Sequence, residues 1–130
     1  MKQGGGQRRM AVRGIRGAID IPENTEAAIE AATQKLLLQM LEANRLSPEG
    51  IVSIFLTATV DIDASYPAAA ARKLGWTDVP LLDAQEIEVQ GGMPRVIRVL
   101  MHVETELTRA QVRHVYLGDA AKLRPDLTEQ

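Results

Sequence analysis

The apolar residues of this chain recur at two different spacings, and each spacing predicts a different element. Residues 11–19, A-V-R-G-I-R-G-A-I, are short, mostly apolar and interrupted by Gly14 and Gly17, which disfavours helix and predicts a strand. After Asn24-Thr25-Glu26, a polar cap followed by an acid, Ile29, Ala32, Leu36, Met40 and Ala43 recur at steps of three and four. Leu37 and Leu41 widen that stripe, and the pattern predicts an amphipathic helix of about five turns. Residues 44–50 close it. The next stretch, I-V-S-I-F-L-T-A-T at 51–59, is largely apolar and reads as a strand buried on both faces.

Pro67 suits the first turn of a second helix through A-A-A-A-R-K-L, and Gly75 suits its stop. Residues 79–82 (V-P-L-L) and 85–89 (Q-E-I-E-V) are short strand candidates, 90–93 is a turn, and 95–103 is the strongest strand. Thr108 with Gln111 matches a capping box and predicts a short helix. The end, L-R-P-D-L-T-E-Q, reads as loose. The order βαβαββ predicts one α/β (α+β) domain over residues 10–130, with a mixed sheet and flanking helices. Residues 1–9 are Gly-rich, polar and aperiodic, which predicts a disordered tail; M-A-V-R-G-I-R from Met10 reads as a natural start.

Composition acts mainly by exclusion. No apolar run approaches the roughly 20 residues of a membrane helix, and no leader-like apolar core stands near the N-terminus. With no cysteine there is no disulfide framework, thiolate nucleophile or Cys-ligated zinc, so a cytoplasmic protein is expected. Net charge is −2, but Lys2, Arg8 and Arg9 stand in the tail, leaving 12 basic against 17 acidic residues in the rest. An acidic body with four aromatics offers neither a basic face nor a stacking platform, which argues against nucleic acid as a partner.

Against that acidic body, arginines inside apolar strands stand out. Arg13 and Arg16 lie three apart on a strand and point to opposite faces, so at most one of them can face a given pocket. Arg16 shares its face with Val12, Gly14 and Ala18; Arg98 shares its face with Val96 and Leu100. An unpaired buried charge is very costly, so each needs a partner or a ligand. If the turn at 90–94 joins two antiparallel strands, Glu86 falls opposite Arg98 on the same face. Two readings then stand: an ordinary cross-strand ion pair of little worth, or a charge pair held toward a ligand.

Other constellations are weaker. Asp61 and Asp63 precede a proline-initiated helix and read as caps rather than a cation site. His102 and His114 lack metal-ligand spacing, Gly91-Gly92 is a turn rather than a phosphate loop, and no nucleophile motif occurs. What remains is positive charge, hydroxyls and one carboxylate, with no obvious nucleophile, and the ligand such a set predicts is a small anion.

In order along the chain, R-G-I-R-G-A, Y-P-A-A-A-A-R, V-P-L-L-D-A-Q-E, V-I-R-V, R-H-V-Y-L and L-R-P-D-L resemble the monofunctional chorismate mutases of the trimeric, mixed α/β class, distinct from the all-helical mutases. The likeness spans residues 12–127. It implies a homotrimer with a barrel-like core and active sites between subunits. It also implies the Claisen rearrangement of chorismate to prephenate, the branch step toward phenylalanine and tyrosine, which needs no nucleophile, metal or cofactor. By this resemblance Arg98 faces the ether oxygen, Glu86 accepts from the ring hydroxyl and orients Arg98, and Arg16 with Tyr116 binds a carboxylate. Tyr66 walls the ring, Arg72 and Arg124 are peripheral cations, and Ala68, Leu82, Asp83 and Leu123 complete the implied substrate-binding set. Arg13 is left with a structural role.

Two positions depart from the family pattern: Ala69 replaces a lysine, and Asp83 stands where a cysteine or small polar residue occurs. A non-catalytic binder of small dicarboxylates on the same fold is the alternative; it would use Arg16 and Tyr116 but have no need of Arg98 with Glu86. An enamine- or imine-handling enzyme on a related fold would need a proton-transfer route, for which no residues stand out.

Overall fold

The computed structural model describes residues 9–128, so the expectation for the tail lies, apart from Arg9, outside the described residues. Strand β1 (Ala11–Asp20) leads into helix α1 (Glu26–Ala43), strand β2 (Ile51–Ala58), helix α2 (Pro67–Lys73) and strand β3 (Leu81–Gln85). Strand β4 (Val96–Thr105), strand β5 (Val115–Leu117) and a terminal turn of helix, α3 (Pro125–Thr128), follow. Thr25 rather than Asn24 caps α1, its hydroxyl accepting from the Ala28 N–H.

The strands form one five-stranded sheet in the order β3-β2-β4-β1-β5. β4 runs antiparallel to both β1 and β2, whereas the β2–β3 and β1–β5 pairs are parallel. Parallel pairs require crossovers, and α1 and α2 supply them. Both helices cover the same side of the sheet: Ile15, Ile19, Ile54, Leu56, Ile97, Val99, Met101 and Val103 meet Leu36, Leu37 and Met40 of α1 and Ala71 of α2. Gly17 is the closest approach of sheet to helix, since a Cβ there would stand 2.5 Å from Met40 Sδ and 3.1 Å from Leu36 Cδ1.

Six sequence expectations need correction or addition. β2 is covered on one face only: Ile54 and Leu56 are buried, but Phe55 is exposed on the side away from the helices. Residues 85–89 are not a strand. Ladder pairing ends at Gln85, and Ile87 and Val89 stand out into solvent. β5 was hidden because three residues are too few to show periodicity, and α3 occupies a stretch expected to be loose. The capping box at Thr108 is present, but it opens a single 3-10 turn, Arg109–Gln111. Asp61 and Asp63 do not cap α2; Asp61 accepts from the Arg95 backbone and Thr59 hydroxyl, and Asp63 accepts from Asn24 Nδ2. Among the described residues no helix is long and apolar enough to cross a membrane.

Gly17→Val is expected to lower stability in urea unfolding by about 1–3 kcal/mol, because Met40 is fully buried and has no free space to enter. Gly14→Ala, whose new Cβ meets only Leu100 at 3.4 Å, should change it by far less.

Candidate active site

The side of the sheet without helices carries the residues of interest. Register aligns Thr57, Arg98, Ala18 and Tyr116 in one cross-strand row running from β2 to β5. In the next row Leu82, Phe55 and Leu100 lead to Arg16. Arg16 is therefore a diagonal neighbour of both Arg98 and Tyr116, with Ala18 as the small residue between them. Above Ala18, Val96 and Ala120 are buried, and Met93, Tyr116 and Leu123 pack over them. Leu123 thus packs against the same small cluster as Tyr116.

Arg98 Nε donates to Glu86 Oε2 at 3.0 Å, and the Thr57 hydroxyl donates to the same oxygen at 2.7 Å. The contact anticipated from sequence is present, but its route differs. Glu86 is not on a strand hairpinned to β4; it follows β3, which is separated from β4 by β2, and its carboxylate reaches over Thr57. The Glu86 backbone N–H, bonded to Ala58 O at 2.9 Å, fixes its position at the end of the ladder. The Glu86 side chain is 16% exposed and that of Arg98 is 45% exposed, so the acid is sheltered while the guanidinium remains open. Both line a cavity of about 650 Å³ under residues 86–94, closed on the other side by Thr59 and Asp61.

Arg16 lines a second hollow, of about 270 Å³, with Leu100 and His114. Its backbone N–H donates to His114 Nδ1 at 2.9 Å. Arg13, on the opposite side of β1, donates from Nε to Leu107 O at 3.0 Å, which is the structural role expected of it. Arg124 forms a two-pronged pair with Asp126, at 3.1 and 2.8 Å. That partner raises the Arg124 pKa and lowers that of Asp126. Arg124 is also close enough to Tyr116 and His114 for charge effects to register on it or on them.

The remaining expected site residues lie at the far edge of the same sheet. Leu82 and Asp83 are on β3, while Tyr66, Ala68, Ala69 and Arg72 belong to α2 or its start beside it. Tyr66 is 72% exposed and touches nothing at the Arg98 cluster that a bond or ring contact records. The β3 edge and Tyr116 are four strand spacings apart, roughly 19 Å. One chain therefore spreads the expected residues across the width of the sheet, with Arg98 on the central β4 between them.

Asp83 turns away from that open side. Its two carboxylate oxygens accept from the Ala68 N–H at 3.1 and 3.3 Å, so it supplies the N-terminal cap of α2 that Asp61 and Asp63 do not. Burial pushes the Asp83 carboxyl above its usual range, and the Ala68 N–H and the Arg72 charge pull it part of the way back. Sequence reasoning gave His114 no role beyond a rejected metal ligand, although its place two residues before Tyr116 was the available signal. Among the described residues no three His, Cys, Asp or Glu side chains gather as a metal site would require.

A group whose folded pKa is raised contributes stability at low pH that is lost as pH rises through the folded value. Asp83→Asn keeps an acceptor for Ala68 without the charge, so its melting temperature should gain on the parent between about pH 3 and pH 7. Asp83→Ala leaves the N–H unpaired and should lose about 1 kcal/mol.

The geometry can be set beside known proteins. The family model for chorismate mutase type I matches residues 12–127. A chorismate mutase AroH from Thermus thermophilus is 52% identical over 117 residues, covering 89% of this chain and 96% of that one. The Bacillus subtilis (strain 168) chorismate mutase AroH is 45% identical over 120 residues, covering 92% and 94%. The solved structure of a chorismate mutase from Clostridium thermocellum superposes with a TM-score of 0.83 at 45% identity, over 85% of this chain and 98% of that one. With the family model spanning nearly all the described residues, the chain belongs to the type I chorismate mutases.

Proposed function

We propose that the chain rearranges chorismate to prephenate by holding the substrate between fixed charges, with Arg98 at the reacting ether oxygen. The reaction breaks one C–O bond and forms one C–C bond within a single molecule, and no proton moves. A protein can accelerate it by confining the reactive conformer and stabilising charge that develops in the transition state. The observation that carries the reading is the Glu86–Arg98–Thr57 arrangement. Glu86 holds Nε, which leaves the outer guanidinium nitrogens of an open side chain available to a ligand. Partial negative charge on the ether oxygen grows only as the bond breaks, so a preorganised cation there acts on kcat. Arg16 and Tyr116, flanking Ala18, supply a cation and a hydroxyl for a carboxylate.

The site is completed by a second copy of the chain in a homotrimer. Two features support this. The sheet face opposite the helices exposes a continuous apolar row, Leu82, Phe55 and Leu100, and an uncovered row of that kind needs a partner surface. The implied substrate residues are also spread across one sheet, from Tyr66 and Arg72 beside β3 to Tyr116 on β5, and Tyr66, Arg72 and Leu82 are assigned to the set that a neighbour contributes.

Arg98→Ala should reduce kcat by a few hundred-fold or more, about 3–4 kcal/mol of transition-state stabilisation, while KM moves much less. NMR observation of chorismate loss and prephenate gain measures it. Turnover preserved in the variant would remove Arg98 from this role, and binding without turnover by the parent protein would favour a dicarboxylate binder.

Arg98→Ala and Arg72→Ala, each impaired alone, should regain activity when unfolded together and refolded as mixed oligomers. Recovery requires the two arginines of one site to come from different chains. A mixture no more active than its parts would place the site within one chain.

A further inference from the structure

The ladder between β1 and β5 has three pairs, Gly17 with Val115, Ala18 with Tyr116 and Ile19 with Leu117. Arg16 lies one residue outside it. Its backbone N–H is met instead by a side chain, His114 Nδ1 at 2.9 Å, from the residue just before β5 begins. This one bond extends the pairing of the two strands past its last main-chain partner. The residues at stake are Arg16 on one strand and Tyr116 on the other.

We propose that His114 is a positioning residue for substrate binding: its neutral Nδ1 fixes the main chain at Arg16 and thereby sets Arg16 against Tyr116. The inference rests on the reading of Arg16 and Tyr116 as the carboxylate-binding pair. An acceptor Nδ1 places the ring proton on Nε2. Protonation would turn Nδ1 into a donor facing another donor, and the bond to Arg16 would be lost. The surroundings oppose that change. Burial first, then the charges of Arg16 and Arg124, lower the His114 pKa from its ordinary value. Arg13 and Arg109 line the same hollow, and none of its lining residues is acidic. The charges that act on the ring are Arg16 from β1 and Arg124 from the C-terminal segment, while Arg13 from β1 and Arg109 from the 3-10 turn border the hollow. A cluster built to attract an anion thus also keeps its own positioning group uncharged.

The test compares steady-state constants for the parent, His114→Ala, His114→Asn and Arg16→Ala across pH. His114→Ala should raise KM for chorismate about tenfold or more, with kcat changed much less. His114→Asn, whose Oδ1 can accept from the Arg16 N–H, should recover most of the loss. In the parent, KM should climb at some pH on the acid side of about 6.5, and the Asn variant should lack that climb. An unchanged KM in His114→Ala, or an acid limb that persists in the Asn variant, would overturn the inference. So would equal losses in both variants. Arg16→Ala separates the two levels: if it leaves KM unchanged the carboxylate reading fails, and if it alone raises KM only the role of His114 fails.

Discussion

The pairing of Arg98 with the sheltered carboxylate of Glu86 is the contact at which three strands of the sheet meet, and it fixes where an open guanidinium stands. β2 stands between the strands that lead to these two residues, and its Thr57 places a hydroxyl on the same carboxylate oxygen that Arg98 uses. The pair contributes little to folding, because Arg98 is nearly half exposed. Its effect is directional. With Nε engaged, the guanidinium is oriented by the carboxylate, as the role proposed for Arg98 requires.

The division of the sheet into two faces follows from where the helices lie. Both crossovers fall on one side, and Gly17 lets α1 sit tightly against β1 there. Bulky or charged residues at Arg16, Arg98 and Phe55 are tolerated because neither α1 nor α2 covers the other side, where only the small cluster over Ala18 and Val96 is buried. Small residues at Gly14 and Ala18 then leave room beside the arginine stem. The packed core lies on one face and the proposed site residues on the other, and the strand alternation of period two keeps the two sets apart.

Much of this was legible in the sequence where elements are long. α1, β1, β2 and β4 follow from apolar spacing, and the opposite orientations of Arg13 and Arg16 follow from strand geometry alone. β5 was not legible, since Val115–Leu117 is a strand only by pairing with β1. Q-E-I-E-V alternates as a strand should, yet it has no ladder partner beyond Gln85 and leaves the sheet. Local pattern could bring Glu86 to Arg98 but not reveal that β2 lies between them, because that depends on strand order. The role of Asp83 was equally out of reach: its carboxylate faces the start of α2, a contact made across 15 residues. The resemblance to the family supplied residue roles that spacing alone left open.

The segment from Glu86 to Arg95 is fastened at both feet. Glu86 N–H is bonded to Ala58 O, while Arg95 N–H meets the Asp61 carboxylate and Arg95 O accepts from the Ile21 N–H. Between the feet, the span makes its own turn through Gly91, at φ 83°, and the Gly92 N–H to Val89 O bond, with Ile87 and Val89 left outside. It behaves as a strap rather than a wall. The Glu86–Arg98 contact and the turn at 89–92 are thus held by separate hydrogen bonds. A substitution at Val89 or Gly92 would therefore act on the turn without touching a partner of the Glu86–Arg98 pair.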